Sequence, residues 1–225
     1  MSMYTKAIFR LKILVLFLLV SMSVSAQDGL LIGGGVSYQI PTNTFGTQDF
    51  GFASVANNGY GLNIGTSWFF NPRLSIGSEL AYSYFPKDKK VWNQENKGDI
   101  KVNYQMMNLN AQGNLYFAED EFRPYLGAVF GLYYLRNLVS FASNNAGTDG
   151  DASVDYISKS WHAGFGLESG MFIELAKASY LQLSLRYTMI PDIELEYFPE
   201  DDVTINPHGK QNHWSVSAKL FFGKK

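Results

Sequence analysis

The chain has 225 residues, no cysteine, 16% aromatic and 17% charged residues, and 18 basic against 20 acidic side chains, a formal charge of −2. The missing cysteine excludes a disulfide scaffold, a thiolate metal site and a catalytic thiol, and the near-neutral balance argues against a nucleic-acid surface. An apolar share of 46% excludes broad disorder, while 14 Tyr and 17 Phe outnumber the basic residues and point to an interface.

The first element is a targeting segment. Lys6, Arg10 and Lys12 precede Ile13–Val20, a run with no polar residue, and Val24-Ser25-Ala26 stands before Gln27. A basic start, a short apolar run and small residues at the cleavage positions predict a signal peptide over 1–26. The apolar run is too short to span the ~30 Å of a bilayer as a helix. Cleavage leaves residues 27–225, with 15 basic against 20 acidic side chains.

Eight strands are predicted after it. The first, around Leu30–Gln39, is weakly patterned. In the second, Tyr60, Leu62, Ile64, Thr66, Trp68 and Phe70 share one parity, and Gly61, Asn63, Gly65, Ser67 and Phe69 share the other. That period of two marks a strand with one apolar face. The third sets Leu74, Ile76, Leu80, Tyr82 and Tyr84 against Ser75, Gly77, Glu79, Ala81 and Ser83. The fourth opposes Met107, Leu109, Ala111, Leu115 and Phe117 to Asn108, Asn110, Gln112, Asn114 and Tyr116. The fifth, Pro124–Leu138, leaves its facing open, because Tyr125, Val129 and Tyr133 blur the polar side. The sixth places Trp161, Ala163, Phe165, Leu167, Met171 and Ile173 against His162, Gly164, Gly166, Glu168, Gly170 and Glu174. The seventh runs from Leu181 to Met189 with Gln182, Ser184, Arg186 and Thr188 on its polar side. The last runs from His213 to Phe222 with Ser215, Ser217 and Lys219 opposite Trp214, Val216, Ala218 and Leu220.

Connections alternate in length. Short ones are Asn71-Pro72-Arg73, about Ala118–Arg123 and Ala176–Ser179; long polar ones are about Pro41–Asn58, Pro86–Ile100, Val139–Asp155 and Ile190–Gln211. An up-and-down antiparallel barrel then has all its long connections at one end, as transmembrane barrels do. Alternation alone does not say which face is wet, and a lipocalin-type barrel keeps its apolar face inside. Here the polar face is rich in Gly, Ser, Asn and Gln, which suits a crowded narrow interior better than a solvated surface. The apolar face is nearly free of charge along the middle of each strand, where Lys or Arg facing hydrocarbon costs ~2–4 kcal/mol. Trp68, Phe70, Tyr82, Tyr84, Trp161, Trp214 and Phe222 lie at strand ends and are expected to form the two interfacial girdles. The expected fold is therefore all-β, an eight-stranded antiparallel up-and-down transmembrane β-barrel over 27–225.

With its signal peptide, eight amphipathic strands and a terminal strand ending Leu220-Phe221-Phe222, the chain resembles the small outer-membrane β-barrels of the OmpA/OmpX/OmpW-like superfamily. The Gln after the cleaved Ala and the Phe-Phe-Gly-Lys ending are similar to the outer membrane β-barrel domains of Bacteroidota type. The resemblance implies an outer-membrane location, contact with outer-membrane lipids and lipopolysaccharide, and insertion by the barrel-assembly machinery through Phe222. It also implies a possible extracellular partner at the long loops. No peptidoglycan-binding domain is expected, since the sequence closes with the last strand.

The candidate site residues lie on the polar parity. Glu79, Glu168, Arg186 and Lys219 are two acids and two bases, and an enclosed charge is costly unless paired. An internal ion-pair network that plugs the lumen is expected, with a proton or ion pathway as the alternative. His213 and Ser215 share a face, and Glu168 could orient the His, as in the lipid A deacylase barrels; but that family's site faces lipid, and no catalytic residue is assigned. Asp149, Asp151 and Asp155 miss the spacing of a Ca²⁺ loop. Asp192, Glu194, Glu196, Glu200, Asp201 and Asp202 read as a solvated acidic loop, and Lys87, Lys89 and Lys90 as a basic one. No metal, cofactor or nucleic-acid partner is expected. The expected function is a non-enzymatic barrel serving surface interaction or envelope integrity. The alternatives are a narrow pore or transporter for small molecules and, more distantly, a lipid-modifying enzyme.

Overall fold

Strands that cross hydrocarbon must pair along both edges, because no solvent there satisfies a free N–H or C=O. The computed structural model, which describes residues 29–42, 46–47, 56–86, 100–142, 153–191, 193–194 and 208–223, meets that demand by closure. Its barrel strands are β1 (Leu30–Pro41), β2 (Gly59–Asn71), β3 (Leu74–Pro86) and β4 (Ile100–Tyr116). They continue as β5 (Phe122–Ala142), β6 (Ser153–Ala176), β7 (Ser179–Met189) and β8 (His213–Phe222). Each pairs antiparallel with the next, and β1 pairs with β8 from Ile32↔Phe222 to Pro41↔His213, so no edge is left. The predicted signal peptide lies outside the described residues.

Parity divides the wall. Ile64, Leu80, Leu109, Phe130, Leu132, Leu167 and Leu185 point outward and are exposed, while Asn63, Glu79, Asn110, Gln112, Glu168 and Arg186 point inward and are buried. The facing left open in the fifth segment is settled: Tyr125, Val129 and Tyr133 are all inside, at 2–3% exposure. In β1, Leu31 and Gln39 are inside, and Ile32, Val36, Tyr38 and Ile40 outside. Two hydroxyls on the outer face satisfy one another, since Thr66 Oγ1 and Ser78 Oγ lie 3.1 Å apart across β2 and β3.

The strands β4, β5 and β6 run further than their alternation predicts. Ile100↔Phe141 and Ala142↔Ser153 are their outermost pairs, so β6 begins eight residues before Trp161. There the sequence carries no apolar-out, polar-in alternation, so periodicity does not mark these strand ends. On the far side of the barrel, three short strands (Gly46–Thr47, His208–Lys210 and Ile193–Glu194) form a separate sheet. It ties the first and last long connections together beyond the β1–β8 seam, beside the bond from Thr42 N to Asn212 O.

Candidate functional site

The lumen is filled in layers. At the short-turn end seven of the eight strands contribute an inward side chain: Leu31, Phe69, Tyr116, Tyr125, Phe172, Tyr180 and Phe221 form one buried cluster. Phe172 is its hub, stacked on Tyr180 at 5.2 Å and in ring contact with Phe69, Tyr116 and Phe221. Room for these rings comes from glycine on the facing strand. A Cβ on Gly170, opposite Tyr125, would stand 2.8 Å from the Tyr125 ring.

Above this plug lies the charged layer. Glu168 and Arg186 are direct cross-strand partners on β6 and β7. Arg186 Nη2 lies 2.6 Å from Glu168 Oε2, and its Nε donates to the same oxygen at 2.7 Å. The guanidinium also crosses the lumen to β3, where Nη1 meets Glu79 Oε1 at 2.6 Å and Nη2 meets Oε2 at 3.3 Å. Lys219 of β8 donates to Glu79 Oε2. Neutral groups take up the remaining lone pairs. Asn110 Nδ2 donates to Glu79 Oε1 at 3.2 Å, and Tyr125 Oη donates to Glu168 Oε1 at 2.7 Å. Gln182 Nε2 in turn donates to Tyr125 Oη at 2.6 Å, so the charged layer is bonded to the plug beneath it. All four charged side chains are buried, and two acids against two bases leave the layer neutral. Such an arrangement holds the walls together, with each of the four charges paired.

Over the charged layer is a polar void of about 20 Å³, lined by Gln39, Asn63, Ser83, Asn108, Thr188 and Ser217 among others. It has room for about one water, and the buried acceptors Gln39 Oε1 and Asn63 Oδ1 on its wall have no protein partner. Towards the long connections the interior turns apolar again at Phe85, Met106, Leu135 and Ile190.

Of the residues of the catalytic alternative, His213 and Ser215 both line the polar void, whereas Glu168 is not among its lining residues. His213 is buried at the outer end of β8, its Nδ1 3.0 Å from Gln211 O and its ring edge-on to Phe85. Glu168 is committed to Arg186, Tyr125 and Gln182. Asp149 and Asp151 lie outside the described residues, as do Lys87, Lys89, Lys90, Asp192, Glu196, Glu200, Asp201 and Asp202, and nothing is placed for the side chains of Asp155 and Glu194. Among the described residues no group of His, Asp or Glu could hold a metal ion.

The predicted girdle residues all face outward. Trp68 and Phe70 are in contact at 4.6 Å near the short turns, with Phe222 exposed at the same end. Tyr82 and Tyr84 are exposed towards the long connections, where Trp161 packs on Tyr134 at 5.0 Å and Trp214 on Tyr187 at 4.7 Å. Between the two ends runs an open apolar groove of about 920 Å³, lined by Val36, Leu62, Leu185 and Val216 among others. Its lining combines outward-facing residues of the apolar band with small inward-parity residues, Ser37, Gly61, Ser184 and Ser217.

Residues 13–222 match the sequence profile of a family described as "outer membrane protein beta-barrel domain". The chain belongs to that family. Membership implies an outer-membrane location. No curated protein matches the chain. Among solved structures, it is similar to OprG from Pseudomonas aeruginosa (TM-score 0.55, 13% identity, covering 87% of this chain and 96% of that one). It is also similar to neisserial surface protein A (TM-score 0.53, 14% identity, 87% and 97%). At these identities the likeness is one of fold.

Alternation places Phe69 and Tyr116 on the polar parity and does not by itself predict the plug. A signal for it exists: in seven of the strands the inward parity carries Leu, Phe or Tyr near the short-turn side.

Proposed function

We propose that this barrel is a closed, non-enzymatic membrane scaffold whose outward connections serve surface contact or envelope integrity. The observation that supports this is the occupied lumen: an aromatic plug at one end, a neutral ion-pair layer above it, and a void of about 20 Å³. A water-filled path for solutes needs far more room. Purified barrel in planar bilayers is therefore expected to be electrically silent. A stable single-channel conductance that changes in Glu79→Ala or Arg186→Ala overturns the closed lumen and makes a narrow pore or transporter the better reading. The non-enzymatic part has its own test. No hydrolysis of lipid A is expected, and activity that disappears in Ser215→Ala would overturn it.

A further inference from the structure

Among the described strand residues whose side chains are placed, the outer face has one place where charge replaces apolar side chains. There Arg136 of β5 and Lys159 of β6 are the charged groups on the outward parity, and they stand directly opposite each other in register. Like charges paired across strands repel. Among the described residues neither has a carboxylate partner; Arg136 Nη1 donates instead to Gln105 Oε1 on β4 at 3.2 Å, the next position in the same row.

The height of this row gives it meaning. Two residues towards the membrane centre lie Tyr134 and Trp161, in tilted ring contact at 5.0 Å on the same outer face. Interfacial aromatics mark the headgroup level, and a step of two residues along a strand is about 7 Å. The cations therefore sit where the phosphates of outer-leaflet lipids lie. A phosphate suits them: a guanidinium offers two parallel N–H donors to its oxygens, an ammonium adds a point charge, and an anion between them turns repulsion into attraction.

We propose that Arg136 and Lys159, with Gln105 orienting the guanidinium, form a site on the barrel's outer face for the phosphate group of an outer-leaflet lipid. This rests on the long connections facing outward, as in outer-membrane barrels, and is independent of the closed-lumen reading. Each cation should strengthen binding about fivefold.

The test is native mass spectrometry of the refolded barrel in detergent, incubated with diphosphoryl lipid A or with the same lipid after dephosphorylation. The wild-type barrel is expected to retain the phosphorylated lipid at least about tenfold better. Arg136→Gln with Lys159→Gln is expected to retain both equally, and Lys159→Arg to keep the preference. Running unboiled samples on SDS gels separates loss of the site from loss of the barrel. Should the double variant fail to fold, Lys159→Gln alone, at an exposed position, is expected to lose about fivefold. Equal retention of the two lipids by wild type, or a preference that survives neutralising the cations, overturns the proposal.

Discussion

The aromatic plug and the charged layer above it close the same tube by different physics. The plug excludes water with apolar area: Phe69, Tyr116, Phe172, Tyr180 and Phe221 fill the bore. The charged layer closes it through mutual satisfaction, because Glu79, Glu168, Arg186 and Lys219 are tolerable in a buried place only together. Damage should therefore propagate differently. A lost ring leaves a hole of its own size, whereas a lost charge strands its partners.

Arg186→Ala should be the most damaging single change, because it leaves Glu79 with Lys219 alone and Glu168 with no cation. A loss of about 3–5 kcal/mol is expected in urea unfolding from lipid vesicles. Glu79→Ala should also destabilise, and the double variant should cost less than the sum of the two; strict additivity would rule out direct coupling. Phe172→Ala comes next. It removes the hub of the plug, at a cost of about 3–4 kcal/mol, but it strands no charge. If the plug is the tighter seal, Phe172→Ala combined with Phe69→Ala should give leak in planar bilayers while Arg186 still holds Glu79; silence in that variant would assign the seal to the charged layer. Gly170→Ala lies third, at about 1–3 kcal/mol. Its methyl would press on Leu183 O of β7 and on the Tyr125 ring, which carries the bond to Glu168, so the two layers should loosen together.

How much of this was legible depends on whether the two faces of a strand differ chemically. In β2, β3, β4, β7 and β8 an apolar outer face opposes a mostly polar inner one, and alternation alone gives strand and facing. In β5 the lumen is filled by Tyr125, Val129 and Tyr133, so both faces are apolar and the pattern vanishes although the strand is regular. Arg136–Ala142 and Ser153–Ser160 continue the ladder although their sequences lack an apolar-out, polar-in alternation. Parity put the four charges on one face, but only closure brings Glu79 against Arg186, 107 positions away. Ring contacts such as Phe172 on Tyr180 depend likewise on register, which a single sequence does not specify.

The smallest effect tests the same principle of mutual satisfaction on the opposite side of the wall. Thr66 and Ser78 put two hydroxyls on the hydrocarbon-facing surface, near the middle of β2 and β3, where lipid offers no partner. Thr66 Oγ1 also accepts from Ser78 N at 3.3 Å, so the backbone already shares the bond. Thr66→Val should therefore cost only about 0.6 kcal/mol, and adding Ser78→Ala should recover it, since no hydroxyl then remains to be satisfied. The Glu79–Arg186 double variant cannot recover in full, because Glu168 and Lys219 stay behind in the lumen. Two closed double-mutant cycles measured by urea unfolding in the same vesicles would show whether an isolated polar pair and a four-member network obey one rule. An equal fractional recovery in both would mean that Glu79 and Arg186 behave as an isolated pair, with Lys219 and Glu168 contributing nothing to their coupling.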